Sequence, residues 1–152
     1  MVLAQRLALA VPALLLGGAY ISQYGFGLYP CEMCWWQRGP HFAAVALALL
    51  SFFAPPKRLW IALAAVAILI SGAIGGFHAG VEYGWWEGVT NCAAIPGTSG
   101  GSAREQIMNQ PLVRCDAPAW TLFGISLAGY NFLISIASGL AILWLLMRGN
   151  RA

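Results

Sequence analysis

Cys31 and Cys34 sit two residues apart in the run Cys31-Glu-Met-Cys34-Trp-Trp-Gln-Arg38, and Cys92 and Cys115 follow in a later polar stretch. A Cys-x-x-Cys disulfide closes so short a loop that it constrains the unfolded chain little and stabilises weakly on the loop-entropy account. Such pairs more often carry redox or metal chemistry. This one falls where an apolar, helix-like run begins, and the unpaired amides and dipole of a helix start favour a thiolate. Arg38 lies four residues beyond Cys34, one turn on and on the same face. An arginine just inside an apolar segment is costly and normally has a function. It would stabilise the Cys34 thiolate, donate to an electron acceptor, or serve as an interfacial anchor.

Other uses of these residues are constrained by spacing. Four cysteines are an even number, and two structural disulfides are the plain alternative in a compartment that permits them. A c-type haem attachment needs histidine after the second cysteine, where Trp35 stands. A zinc site favours a second close pair, whereas 22 residues separate Cys92 from Cys115. His78 lies at about the depth of Arg38, as a packing residue or as a donor to a carbonyl oxygen. His41 lies deeper, where haem ligation by two histidines is the remote alternative. No metal is expected.

The elements that must position these groups follow from composition. The chain has 152 residues, 60% hydrophobic and 9% charged, with a formal charge of +3. Soluble domains carry about 25% charged residues, so lipid must surround most of this one. The charge is too small to argue for nucleic acid. Charge-free gaps at 7–31, 39–56, 59–81 and 117–147 each suit a membrane span of roughly 20 apolar residues. The expected spans are 3–24, 34–53, 59–80 and 120–147, in one domain covering 1–152, joined by a polar loop over 81–118.

Arg6, Lys57, Arg58, Arg148 and Arg151 fall on one side of a four-span arrangement, and all five acids fall on the other. Positive charge near span ends marks the cytoplasmic side. Both termini are therefore expected in the cytoplasm, with the two cysteine-bearing loops outside. Trp35, Trp36, Trp85, Trp86 and Trp120 read as belt residues at the outer boundary. The first run is longer than a signal-peptide core and is expected to remain as a helix. Ser71, Gly72, Gly75 and Gly76, with Ser135, Ser138 and Gly139, mark faces for close helix contact, and Asn131 is expected to hydrogen-bond inside the bundle. In the outer loop, Gly97–Gly101 reads as flexible, and Ser102 with Glu105 reads as a capping box opening a short helix to about Asn109.

Taken together, Cys31-Glu-Met-Cys34-Trp-Trp-Gln-Arg38, His78, the Cys92/Cys115 pair and the segment from Asp116 through Asn131 resemble the disulfide bond formation protein B (DsbB) family, in order along most of the chain. The resemblance implies an all-α, four-helix inner-membrane oxidoreductase. It would reoxidise a DsbA-like periplasmic thioredoxin-fold protein and pass the electrons to ubiquinone or menaquinone. It further implies catalytic roles for Cys31, Cys34, Cys92 and Cys115 and quinone contacts for Arg38 and His78. Glu82 stands where some members carry glutamine, which puts the acceptor contact on that face in question. Two other readings are a vitamin K epoxide reductase-like protein, whose loop cysteines precede its Cys-x-x-Cys, and a non-catalytic scaffold with structural disulfides.

Overall fold

A computed structural model describes residues 1–90, 93–94 and 112–148. Four long helices dominate it: α1 (Val2–Gly25), α2 (Glu32–Phe53), α3 (Lys57–Glu82) and α4 (Leu127–Arg148). Two short antiparallel pairs accompany them. Strand β1 (Ala93–Ala94) pairs with β2 (Leu112–Val113), and β3 (Thr121–Leu122) pairs with β4 (Ile125–Ser126).

Three of the helices, α1, α3 and α4, are long and apolar enough to cross a membrane. The first half of α2 carries Glu32, Gln37, Arg38 and His41, which lowers its hydropathy. The bundle exterior is apolar: Leu14, Ile21, Phe53 and Leu140 are all more than half exposed. Such a surface suits lipid rather than water.

Small residues set the spacing of the core. Ala4 and Ala8 of α1, Ala44 and Ala48 of α2, and Ala64 and Ala65 of α3 are fully buried around Ile61, Ile68 and Ile142. Helix α3 packs against both α2 and α4. A Cβ on Gly139 would come within 2.6 Å of the Leu69 side chain, and one on Gly72 within 3.0 Å of Ser135. The small faces of the third and fourth helices therefore meet, as close packing in lipid requires.

Cross-links fix the far end of the bundle. Gln5 Nε2 donates to Ser51 Oγ at 3.0 Å, tying α1 to α2. Arg58 Nη2 donates to the Leu146 carbonyl at 2.9 Å and so satisfies one of the last acceptors of α4.

Two differences from the expected boundaries bear on the site. The fourth helix starts at Leu127 rather than Trp120, because 121–126 form a hairpin. Its turn places Phe123 at φ 51° and Gly124 at φ 77°, the paired positive φ values of a tight hairpin turn. Glycine signals the second position, but phenylalanine hides the first. Tyr83 holds the hairpin from α3: its hydroxyl donates to the Gly124 carbonyl at 2.8 Å and accepts from Ser126 N at 2.9 Å. The second helix starts at Glu32 rather than Cys34, with Cys31 as its N-cap. Cys92, the Gly97–Gly101 stretch, the Ser102/Glu105 capping box and Arg151 lie outside the described residues.

Candidate redox site

The Cys31 sulfur caps α2. Its Sγ accepts from Cys34 N at 3.3 Å and lies 2.8 Å from Cys34 Sγ. A sulfur at this position takes up an amide that would otherwise lack a partner in the first turn. The two thiols are not equivalent. Cys31 is 3% exposed, whereas Cys34 is partly open. The hydrogen bond with Cys34, burial, and the charge of a Cys34 thiolate all push the Cys31 thiol well above its ordinary range. Cys31 is thus the buried, capping sulfur of the pair, and Cys34 is the more accessible one.

Cys115 closes over this pair from the segment that leads out of β2. It is buried, and its sulfur, Cys31 Sγ and a His78 ring nitrogen all lie within 4.8 Å of one another. Met33 and Val81 are buried in the same cluster as Cys31 and Cys115. Just beyond, Arg114 grips Asp116 in a two-bond pair at 2.8 and 2.6 Å, holding that exposed carboxyl below the usual carboxylate range.

Arg38 is 6% exposed. Its Nη1 donates to Gln23 Oε1 at 2.7 Å and its Nη2 to the Ala19 carbonyl at 3.3 Å. Its guanidinium carbon lies 4.8 Å from the ring centres of both Tyr20 and Trp35. Helix α1 thus supplies the acceptors and one of two aromatic faces that make a buried cation tolerable.

A hydrogen-bond chain crosses the bundle behind the cysteines and fixes the protonation of both histidines. Asn131 Nδ2 lies 3.2 Å from the Ser71 carbonyl, which only accepts, so that atom is the donor nitrogen. It also donates to Gln37 Oε1 at 2.8 Å. Gln37 Nε2 then donates to the Met33 carbonyl at 3.2 Å and to His78 Nδ1 at 2.9 Å. His78 Nδ1 is consequently an acceptor, and the neutral ring carries its proton on Nε2. That nitrogen lies 3.6 Å from Cys31 Sγ and 3.7 Å from Glu82 Oε1. By the same logic His41 donates through Nε2 to Asn131 Oδ1 at 2.9 Å, an oxygen that also accepts from Ser135 at 3.0 Å.

This chain bears on metal binding. Two thiols and an imidazole so close together could suit a thiophilic ion. A ligating histidine, however, presents a bare nitrogen to the metal and donates its other N–H to a neighbour. His78 has the reverse arrangement, with its proton facing the sulfurs. His41, bonded to Asn131, is placed as a network member rather than as half of a haem site.

Beside the cysteines lies a cavity of about 260 Å³ between α1, α2 and the start of α4. Leu14, Leu15, Leu16 and Ala19 of α1 form much of its wall, and its polar groups include Cys34, Gln37, Arg38, His78 and Glu82. Of the residues singled out from sequence, the fold brings together Cys31, Cys34, Cys115, Arg38 and His78. Cys92 is outside the described residues. Gln37, Gln23 and Tyr20 were missed as site residues. Gln37 and Gln23 had one available signal, a polar side chain within an apolar run.

Comparison with known proteins agrees in family. The model of the family described as "Disulfide bond formation protein DsbB" matches residues 3–146. A disulfide bond formation protein B of Verminephrobacter eiseniae (strain EF01-2) is 34% identical, covering 95% of this chain and 85% of its own length. One of Acidovorax sp. (strain JS42) is 29% identical over 93% of this chain and 84% of its own. An uncharacterized protein of Rickettsia prowazekii (strain Madrid E) is 28% identical over 84% of this chain and 77% of its own. No solved structure gives a significant match.

Proposed function

The chain belongs to the DsbB family of disulfide bond formation proteins, and from that premise we propose that it is a protein dithiol:quinone oxidoreductase of the bacterial inner membrane. In this reading residues 1–152 form one domain of four spans, with both termini cytoplasmic and the loop over 81–118 periplasmic. The placement of positive charge in the sequence supports that orientation.

The observation that carries the reading is the convergence on Cys31 of Cys34 at 2.8 Å and of buried Cys115, with Cys34 also on the cavity wall. A relay follows from it. The reactive thiolate of a DsbA-like thioredoxin-fold protein attacks Cys92 of a Cys92–Cys115 disulfide, so that a mixed disulfide to Cys92 forms as the Cys92–Cys115 bond breaks. Cys115, freed as thiolate, attacks Cys31 of the Cys31–Cys34 disulfide. A Cys115–Cys31 bond forms, the Cys31–Cys34 bond breaks, and the electron pair leaves on Cys34 Sγ beside the cavity.

The cavity suits a quinone head. Its walls are largely apolar, and Arg38 has five N–H donors, of which Gln23 and Ala19 engage two groups. When bound, a quinone supplies a two-electron, two-proton acceptor. Arg38 and the neighbouring His78 would hold and orient it, while the leucines of α1 exclude water.

Energetics favour such an acceptor. A DsbA-type dithiol has a potential of about −120 mV, and roughly 30 mV corresponds to ~1.4 kcal/mol for a two-electron couple. A glutathione-like couple about 100 mV more negative would drive that partner backwards by ~5 kcal/mol.

The test is a trap. The parent protein with Cys92 and Cys115 oxidised, incubated with a reduced thioredoxin-fold protein whose second active-site cysteine is replaced by serine, should accumulate a mixed disulfide through Cys92 as the Cys92–Cys115 bond breaks, identified by peptide mass spectrometry. Finding the adduct on Cys31 or Cys34 would reassign the entry point.

A further inference from the structure

An exchange between Cys115 and Cys31 needs more than two sulfurs in one apolar cluster. Met33, Val81 and Val113 pack around the pair, but hydrophobic contact is non-directional. It keeps the segment after β2 in place without aiming the sulfur.

A directional contact falls on the backbone of Cys115 itself. His78 takes the Gln37 amide on Nδ1 at 2.9 Å, which leaves its one proton on Nε2. The ring is also hydrogen-bonded to the backbone of Cys115. Nε2 is the donor, so the group it meets there is the Cys115 carbonyl. The same nitrogen lies 3.6 Å from Cys31 Sγ, and the two sulfurs and the ring nitrogen fall within 4.8 Å of one another. Glu82 Oε1, at 3.7 Å, is too far to compete for that proton.

We propose that His78 is a positioning residue for the thiol exchange: its Nε2–H holds the Cys115 carbonyl and so seats the Cys115 sulfur over Cys31. The hydrogen bond moves no electrons and makes no covalent bond; the Cys115–Cys31 bond still forms as the Cys31–Cys34 bond breaks. Cys31 is fixed as the cap of α2, the seat of Cys115 is fixed to α3, and Gln37 ties those two helices together behind them. Both sulfurs are thereby held in one frame. Such alignment matters because a misplacement of about 1 Å can cost roughly a hundredfold in rate. While Cys115 is seated, the ring N–H is engaged, and Arg38 supplies the polar contact for a ligand in the cavity that both residues line.

The inference rests on the reading of Cys115 as the thiol that attacks Cys31. Its seating, however, can be measured with neither quinone nor partner and without any disulfide.

Full-length protein carrying Cys34→Ser and Cys92→Ser keeps two of its four cysteines, Cys31 and Cys115. With both reduced, alkylation of Cys115 by iodoacetamide is followed on its peptide by mass spectrometry. Cys115 is 6% exposed and must leave its seat to react. In this background His78→Asn keeps a polar group near Nδ1 for Gln37 but falls short of Cys115. His78→Gln instead carries an N–H about where Nε2 stands. His78→Asn should raise the alkylation rate about tenfold, the scale of one hydrogen bond, and His78→Gln should return it close to the starting value. Equal increases in the two variants, or none in either, would overturn the proposal.

A second measurement needs no substitution at His78. With ¹⁵N-labelled histidine, nuclear magnetic resonance should place the ring proton on Nε2, and alkylation of Cys115 should shift that signal. A proton on Nδ1, or a signal indifferent to alkylation, would equally overturn the proposal, even if both variants fail to fold. In glutathione buffers, failure of the same protein to form a Cys31–Cys115 disulfide would count against the relay and leave the seating result standing.

Discussion

The side-chain amide of Gln37 donates to His78 Nδ1 across 2.9 Å, joining α2 to α3 directly behind the Cys31 sulfur. Gln37 is 7% exposed and His78 is 2% exposed, so neither group has water as a substitute partner. The orientation of the ring that faces Cys31 thus depends on the side-chain amide of Gln37, which is held in turn by Met33 and Asn131.

Gln37→Leu keeps the volume and removes both functions of the amide. It would leave His78 Nδ1 unpaired and strip Asn131 Nδ2 of its shortest acceptor, at 2.8 Å. An unsatisfied buried polar group costs about 1–3 kcal/mol. Thermal unfolding in detergent should show a clear destabilisation, and Gln37→Asn, with a shorter reach, should recover little of it. A Tm equal to that of the parent protein would mean that the chain of hydrogen bonds is not formed.

Arg38→Lys retains charge but loses the planar contact with Tyr20 and Trp35 and the two-headed grip on Gln23 and Ala19. Arginine and lysine are not interchangeable at a stacked, forked site. The expected outcome is a KM for quinone raised about tenfold or more, since hydrogen bonds to charged groups contribute about 1.5–3 kcal/mol. Quinone reduction followed over a range of quinone concentrations measures it, and a lysine variant with the parent KM would argue against a specific role for the guanidinium.

Arg114 holds the Asp116 carboxyl below its ordinary range through their hydrogen bonds. A depressed carboxylate stabilises the fold above its unfolded pKa, and that contribution is lost as pH falls through the folded value. The pair should therefore leave stability flat between about pH 5 and 8 and add to its loss only below about pH 4. In Arg114→Gln the Asp116 carbon resonance should titrate at higher pH than in the parent protein. Coincident titration curves would mean that the two side chains do not pair in solution.

The residues that the fold gathers at the candidate site were legible in the sequence because their types are the ones that could carry chemistry. Two cysteines at the start of an apolar run, an arginine one turn later and a histidine near the end of another run stand out against 9% charged residues. Their supports were far less legible. Gln23 and Gln37 reach their partners only through helix packing, and although Asn131 was expected to hydrogen-bond inside the bundle, its partner Gln37 lies 94 residues away. Nothing local in the chain announces such partners. The hairpin at 121–126 was hidden for a different reason. Its turn places Phe123 at positive φ, where a phenylalanine is rare, and the apolar run around it reads as helix. Cys31 was read as preceding a helix that it in fact caps, because sulfur is not among the usual capping side chains.

The relay requires that the electron pair leave through Cys34 and no other sulfur. Purified protein supplied with a reduced thioredoxin-fold dithiol protein should consume quinone absorbance in stoichiometric amounts, and Cys34→Ser should abolish that consumption. If Cys34→Ser reduced quinone at the rate of the parent protein, the assignment of the cavity and of its neighbouring thiolate would be wrong.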